Sequence, residues 1–474
     1  MNAAADLVFI PASEQAALIR ARKLSPVELT DAYLARIEAL NPKLNAFITV
    51  TADRARADAR AAEQAITNGQ YRGPLHGIPY APKDILATRG IRTTNGSKVT
   101  ADWVPEFEST ITERLAAAGA VLVGKLNLLE FAMGSGVVSG FGPARNPWDP
   151  ARTPSGSSSG SGAALAAHMV PLSIGTDTGG SIRGPASFCG IVGLKQTYGR
   201  VSRYGVTTLA WTLDHAGPMT RTVADAAAML QVIAGADPRD LTCTADPVPQ
   251  YAERLTRDLR GVRVGVPRRH FTEDAHPEVE RAYQAALSTM KDLGASLVDV
   301  DVPHAVYATS AGWVVAMAEA AQFHEKRLRE TPELFDPIVR ERLDAARFYP
   351  ATDYIKALRI RSVLMDEMAA VLKSADVMVV PANGSLPGVL EAPEVAGTDV
   401  KPGSKPTAYR GGNTFLGNMT GLPALVLPCG FSAGPPRLPI GLQIYGRAFD
   451  EATVLRVGHA YEQASPWHRE KPLV

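Results

Sequence analysis

The residues best able to do chemistry sit in two Gly/Ser clusters and one lysine. The first cluster runs Thr153-Pro154-Ser155-Gly156-Ser157-Ser158-Ser159-Gly160-Ser161-Gly162. The second runs Gly175-Thr176-Asp177-Thr178-Gly179-Gly180-Ser181-Ile182-Arg183. Glycines directly before a serine let backbone N–H groups converge beside its hydroxyl. An oxyanion hole needs that geometry, and each donor in one is worth about 3 kcal/mol in the transition state. A flexible linker has the first composition too. Against a linker, the strongly helical Ala163-Ala164-Leu165-Ala166-Ala167 follows, and composition does not change across the stretch. A serine nucleophile also needs a group to take its proton. Among the nine histidines, His168 and His215 read as packed or capping residues. A lysine can serve where desolvation lowers its pKa towards neutrality. Lys83, between Gly77-Ile78-Pro79-Tyr80-Ala81-Pro82 and Asp84-Ile85-Leu86, fits that role. Standing alone it would read as a solvated surface group.

Together these segments resemble the amidase signature family, whose members use a Ser-Ser-Lys triad on an α/β fold. The likeness rests on Lys83-Asp84, on the cluster around Gly156-Ser157-Ser158, and on the run from Gly175 to Arg183. It continues through Pro185-Ala186-Ser187-Phe188-Cys189-Gly190, Gly193-Leu194-Lys195 and Tyr198-Gly199-Arg200-Val201. It returns late, in Asn418-Met419-Thr420-Gly421-Leu422-Pro423-Ala424 and Pro439-Ile440-Gly441-Leu442-Gln443. Carried over residue by residue, the resemblance implies Ser181 as the nucleophile that forms an acyl-enzyme. It implies Ser157 as a bridging serine that relays the proton and later protonates the leaving amine. Lys83 becomes the neutral general base. Thr178, Gly179, Gly180 and the amide of Ser181 form the oxyanion hole, and the bridging serine takes part in a cis peptide bond. No cofactor is implied, and no His/Cys/Asp/Glu cluster has metal-ligand spacing.

The family commonly has glycine where Ser155 and Ser159 stand here, and proline where Gln196 follows Lys195. Neither departure falls on a triad position. Two decoys are set aside. Gly156-Ser157-Ser158-Ser159-Gly160 spells a nucleophile elbow centred on Ser158, as in an α/β-hydrolase esterase. That motif needs a strand before it, and Arg145-Asn146-Pro147-Trp148-Asp149-Pro150-Ala151-Arg152-Thr153-Pro154 cannot be a central one. Ser288-Thr289-Met290-Lys291 matches S-x-x-K but lies in a charged amphipathic helical stretch with no K-T-G partner.

The elements that must position these residues alternate. Ser25-Pro26-Val27-Glu28 is a capping box with proline at the first helical position, opening a helix to about residue 40. An Ala/Arg-rich helix is expected over 52–67, with further helices near 111–118, 224–233, 278–293, 354–372 and 451–463. Short apolar runs predict strands at 78–81, 121–123, 262–266, 297–300 and 377–380. Such alternation argues for an α/β protein. The resemblance sharpens this to a central mixed β-sheet covered by helices on both faces. It implies one domain over residues 1–474: N-terminal helices at about 11–70, a signature core at about 71–240, and a remainder, 241–474, contributing pocket walls. The Pro-containing stretch 242–251 reads as either a boundary or a surface loop.

Composition narrows the partners. The 474 residues are 46% hydrophobic and 20% charged, with 49 Lys+Arg against 48 Asp+Glu for a net charge of +1. No basic field for nucleic acid and no acidic tail is present. Cys189, Cys243 and Cys429 are too few for a disulfide framework. The two stretches free of Asp, Glu, Lys and Arg, 153–176 and 411–436, are too broken by Gly and Pro to span a membrane. The N-terminus lacks a signal-peptide pattern. A cytoplasmic protein acting on a small-molecule amide and water is the expectation, and a homodimer is compatible with it. Pocket walls are expected from 129–138, 209–213, 307–323 and 407–415, with Met133, Trp211, Trp313 and Val314 suiting an aryl or alkyl group and Arg410 a carboxylate. The same residue types also fill cores. The sequence favours a stand-alone amidase for an amide, anilide or carbamate-like bond. Its alternative is the amidase component of a glutamine-dependent tRNA amidotransferase, which Tyr198-Gly199-Arg200-Val201-Ser202-Arg203-Tyr204-Gly205 resembles. The Gly/Pro-rich segment 383–414 does not resemble it. An inert binding protein of the same fold is disfavoured by the intact Lys83, Ser157 and Ser181 set.

Overall fold

The helix Pro26–Leu44 starts where Ser25 accepts the backbone N–H groups of Val27 and Glu28, and the Glu28 side chain answers the Ser25 N–H. The second expected helix, Ala52–Thr67, follows as read. These elements belong to a computed structural model that describes residues 7–133, 137–390 and 413–474.

Strands are numbered along the chain: β1 Phe47–Val50, β2 Pro79–Pro82, β3 Val121–Leu122, β4 Gly124–Leu126, β5 Leu172–Asp177, β6 Val192–Lys195, β7 His215–Thr220, β8 Arg263–Pro267, β9 Ser296–Val300, β10 Val377–Pro381, β11 Ala424–Phe431 and β12 Pro439–Gly446. β1 and β4 pair alone. The other ten form one sheet in the order β3-β2-β5-β7-β6-β11-β12-β10-β8-β9. Parallel pairs lie towards both edges, β3-β2-β5 and β10-β8-β9. The middle, from β5 through β7, β6, β11 and β12 to β10, is antiparallel. This is the mixed α/β architecture expected, with the sheet flanked by helices. The segment 242–251 lies outside the helices and strands, and β8 and β9 beyond it join the same sheet.

Every residue of β2, β5, β6, β7, β10 and β12 is buried. A strand covered on both faces has no polar side to alternate with. Helices Arg183–Cys189, Val223–Ile233 and Glu451–Ala464 pack against the middle strands. Among the described residues, no helix is long and apolar enough to cross a membrane.

Candidate active site

Lys83 is the first residue beyond β2. Its backbone N–H donates to Ile174 O at 2.9 Å, extending the β2–β5 pairing and turning its side chain inside. The side chain is fully buried, and Nζ donates to Ser157 Oγ at 2.7 Å and to Thr176 Oγ1 at 2.8 Å. No carboxylate ion-pairs with it among the described residues. Burial lowers its pKa to about 7, opposed in part by the negative charges of Asp177 and Asp214. Near neutral pH the amine is therefore unprotonated in a large fraction of molecules and can accept a proton. Its neighbour Asp84 anchors the turn: Oδ2 accepts Thr94 N and Oγ1, and Oδ1 lies 3.1 Å from the buried Lys125 Nζ.

The Gly156–Ser157 peptide is cis, as the resemblance implies. Ser157 precedes the helix Ser159–Ala166, whose first residue, Ser159, takes a regular helical place. Ser158 faces the other way. It is fully buried, and its Oγ exchanges 3.2 Å hydrogen bonds with the backbone N–H and C=O of Thr176. The segment before it is not a strand, so the elbow geometry is absent.

After β5 the chain turns through Thr178, Gly179, Gly180 and Ser181 into the helix Arg183–Cys189. Gly180 has φ +136°, and a Cβ there would lie 2.4 Å from Thr414 Oγ1; one on Gly179 would meet the Phe415 ring. Only glycine fits such a turn. The turn is held from below. Asp177 accepts the N–H groups of Gly180 at 2.8 Å and Ile182 at 3.1 Å, and its carboxylate pairs with the buried Arg183 guanidinium at 2.9 Å. Asn418 Nδ2 donates to Asp177 Oδ1, while Arg183 donates to Asn418 Oδ1 and Gln443 Oε1. The late motif matches thus brace the Ser181 turn from the far end of the chain. Thr178 Oγ1 donates to Asp214 at 2.6 Å.

Ser157 and the half-buried Ser181 open on one cavity of about 330 Å³, which Thr178, Gly179 and Gly180 also line. Met133 and Trp313 line it too. Val314 packs against the core instead. Trp211 corrects the sequence reading: it lines an adjoining cavity of about 210 Å³, is 55% exposed, and has Arg203 lying over its ring. Arg410 lies outside the described residues. His168 packs edge-on against Phe9. His215 is buried between Leu213 O and Lys195 Nζ. Neither histidine lines the cavity of Ser181. Ser288 and Lys291 are exposed on the helix Pro277–Asp292.

The sequence reading missed the Asp177–Arg183 brace and the lining residue Asn383, whereas the lining residues Met317 and Phe415 fall within the expected wall segments 307–323 and 407–415. A signal for the brace exists: Asp177 and Arg183 are the first acidic and basic residues after the charge-free run 153–176. For Asn383 no local pattern could serve, because it reaches the cavity from a part of the chain far from the Gly/Ser clusters.

The chain that carries this arrangement has clear relatives. The amidase family pattern matches residues 28–455, and the chain belongs to that family, the amidase signature enzymes. The chain is 45% identical to the A subunit of the glutamyl-tRNA(Gln) amidotransferase of Chloroflexus aurantiacus, over 96% of each chain. Among solved structures, the A subunit of the Thermotoga maritima glutamyl-tRNA(Gln) amidotransferase superposes with a TM-score of 0.81 at 33% identity, covering 99% of this chain and 98% of that one. The peptide amidase of Stenotrophomonas maltophilia gives 0.84 at 30% identity, covering 96% of each.

Proposed function

We propose that the chain cleaves a non-peptide amide through an acyl-enzyme on Ser181. The observation that carries this reading is the buried, uncompensated Lys83 amine 2.7 Å from Ser157 Oγ, beside a cavity shared by Ser157 and Ser181. Ser181 Oγ attacks the carbonyl carbon. Its proton passes to Ser157 as the Ser157 proton passes to Lys83 Nζ. Backbone N–H groups of the turn Thr178–Ser181 stabilise the oxyanion, a term that usually outweighs the others. The proton returns through Ser157 to the leaving nitrogen, which departs as ammonia or an amine. Water then releases the acid by the reverse sequence.

Two deployments of this chemistry differ in substrate. The relatives named as amidotransferase A subunits, matched over nearly their full length, favour the amidotransferase component over the stand-alone amidase that the sequence alone favoured. One observation supports the small-molecule reading: no charged side chain is among the described residues lining the cavity. Glutamine carries an ammonium and a carboxylate that such walls do not neutralise.

The test is ammonia release by the purified chain. It would be given L-glutamine or neutral amides, alone and then with the partner proteins of a related amidotransferase and charged tRNA. Turnover of glutamine only in the assembled mixture supports the amidotransferase reading. Turnover of neutral amides by the free chain, at about 1 s⁻¹ or more, supports the small-molecule one. In either case Ser181→Ala should lose about 10⁴-fold in kcat while folding normally. A fluorophosphonate should label Ser181; a label on Ser158 sinks the assignment.

A further inference from the structure

Two residues of the catalytic cavity have no part in the proton relay. Asn383 lies just beyond β10, is 9% exposed, and lines the cavity, yet its buried Nδ2 has no hydrogen-bond partner among the described residues. An unpaired buried amide donor is costly, and an apolar side chain of the same size would avoid that cost. Ser155 lines the same cavity with φ +65°, the left-handed region that glycine tolerates and a β-carbon does not. Its Oγ looks across at Gly184: a Cβ built there would lie 2.7 Å from it, so the space before the hydroxyl exists only because residue 184 has no side chain. Neither feature helps the empty protein. Both add neutral hydrogen-bonding groups to a cavity that the apolar Leu129, Met133, Trp313, Met317 and Phe415 also line. Backbone strain and unpaired donors of this kind collect where a ligand supplies the missing partner.

We propose that Asn383 and Ser155 form a polar subsite that binds an acceptor oxygen of the substrate, separate from the scissile carbonyl. The inference rests on the reading that Ser181 works on an amide in this cavity. Asn383 Nδ2 donates to that oxygen, and the Ser155 hydroxyl donates beside it. Because both donors are neutral, the subsite orients the substrate more than it attracts charge. Two sources can supply the oxygen: the α-carboxylate of glutamine, or the carbonyl of an acylamino group on a neutral amide.

The test compares three probes, L-glutamine, N-acetyl-L-phenylalaninamide and 3-phenylpropanamide, the last lacking the acceptor. In Asn383→Leu, the kcat/KM preference for an acceptor-bearing probe over 3-phenylpropanamide should fall about tenfold. Loss on glutamine alone identifies the carboxylate as the source, and loss on the acetylated amide identifies the carbonyl. Ser155→Gly should shift the preference in the same direction by a smaller factor. Both variants should also melt higher than wild type, by about 1–2 °C, since each removes a cost borne by the empty protein. An unchanged preference, or an equal loss on every probe, overturns the subsite. If the wild type hydrolyses none of the three and Ser181 takes no fluorophosphonate, the amidase reading itself fails. If Ser181 is labelled without turnover, the melting temperatures decide, and a fall in both variants overturns the subsite.

Discussion

β5 ends in two adjacent residues whose surroundings are opposite. Thr176 offers its hydroxyl to Lys83, which has no counter-charge in contact. Asp177, one residue on, meets the Arg183 guanidinium, the Asn418 amide and two backbone N–H groups. Both corners are buried. At the first, desolvation wins and the lysine falls to about 7. At the second, burial works against the carboxylate, but the guanidinium beside it holds its pKa well below the usual range. The group proposed to exchange a proton is left uncompensated, and the group that braces the turn is ion-paired. The two roles need opposite electrostatics a short distance apart.

The largest expected effect breaks the first corner. Lys83→Arg keeps a basic side chain of similar length, but guanidinium does not deprotonate. It should cost about 10³-fold in kcat/KM, a typical worth for a general base. For the wild type, kcat/KM should rise with pH through a midpoint near 7, as the amine loses its proton. Near-wild-type activity in Lys83→Arg would falsify the lysine assignment.

Next comes the second corner. Asp177→Asn keeps the side chain's size, but it sets an NH2 donor where an oxygen accepts and leaves Arg183 buried without a counter-charge. Removing one partner of such a pair costs about 3–5 kcal/mol. Thermal unfolding should show a clear drop in midpoint, with activity falling alongside as the turn loosens. A variant as stable as the wild type would mean that the pair does not hold the turn.

A smaller effect compares the two corners through pH. Lys83 titrates near 7 when folded and near 10.5 when unfolded, so between these values the unfolded chain binds more protons. Stability from this group therefore rises with pH across that window, and its full cost applies below about 7. Lys83→Met removes the cost. The variant should be more stable than the wild type at pH 6, with the gap closing towards pH 10, as read by denaturant midpoints. A gap independent of pH would mean that the lysine is not desolvated as its burial indicates.

The edges of the sheet were legible in the sequence, and its middle was not. β2, β3, β8, β9 and β10 were expected from short, mainly apolar runs, and the helices at 52–67, 224–233 and 451–463 were expected as well. β5, β6, β7, β11 and β12 were not expected. β5 reads Leu172-Ser173-Ile174-Gly175-Thr176-Asp177, and β7 carries Gly217 and Pro218 within a paired strand. Those residues lower strand propensity, but neighbours on both faces bury them anyway. The glycines and polar residues serve the site: a Cβ on Gly175 would lie 2.5 Å from Met219 Sδ, and Thr176 contacts Lys83. Likewise the helix Ala308–Glu330, which supplies Trp313 and Met317, was missed because its polar and apolar residues show little helical segregation. Lys83, Ser157 and Ser181, by contrast, stand out through motif resemblance, since Asp84 adjoins Lys83 and both Asp177 and Arg183 share the short motif of Ser181.

The smallest expected effect concerns two tryptophans that the sequence reading placed in one pocket. Trp313 comes from the helix Ala308–Glu330 and lines the cavity of Ser157 and Ser181. Trp211 lines the neighbouring cavity, more than half exposed, under the Arg203 guanidinium. If the acyl group rests against the wall that Met133, Met317 and Phe415 share with Trp313, removing that indole takes away apolar contact made equally in the ground and transition states. Such a loss appears in KM and leaves kcat nearly constant. Trp313→Ala should therefore raise KM for an aryl amide about tenfold, the equivalent of about 1.4 kcal/mol of contact. Trp211→Ala removes a ring whose outer side already faces water, and its KM effect should stay within about twofold, as befits a surface substitution. Side-by-side saturation curves on one aryl amide decide the matter. Equal KM shifts would mean that the two cavities act as one substrate site, and a larger shift for Trp211 would move the acyl group to the other side of Thr178.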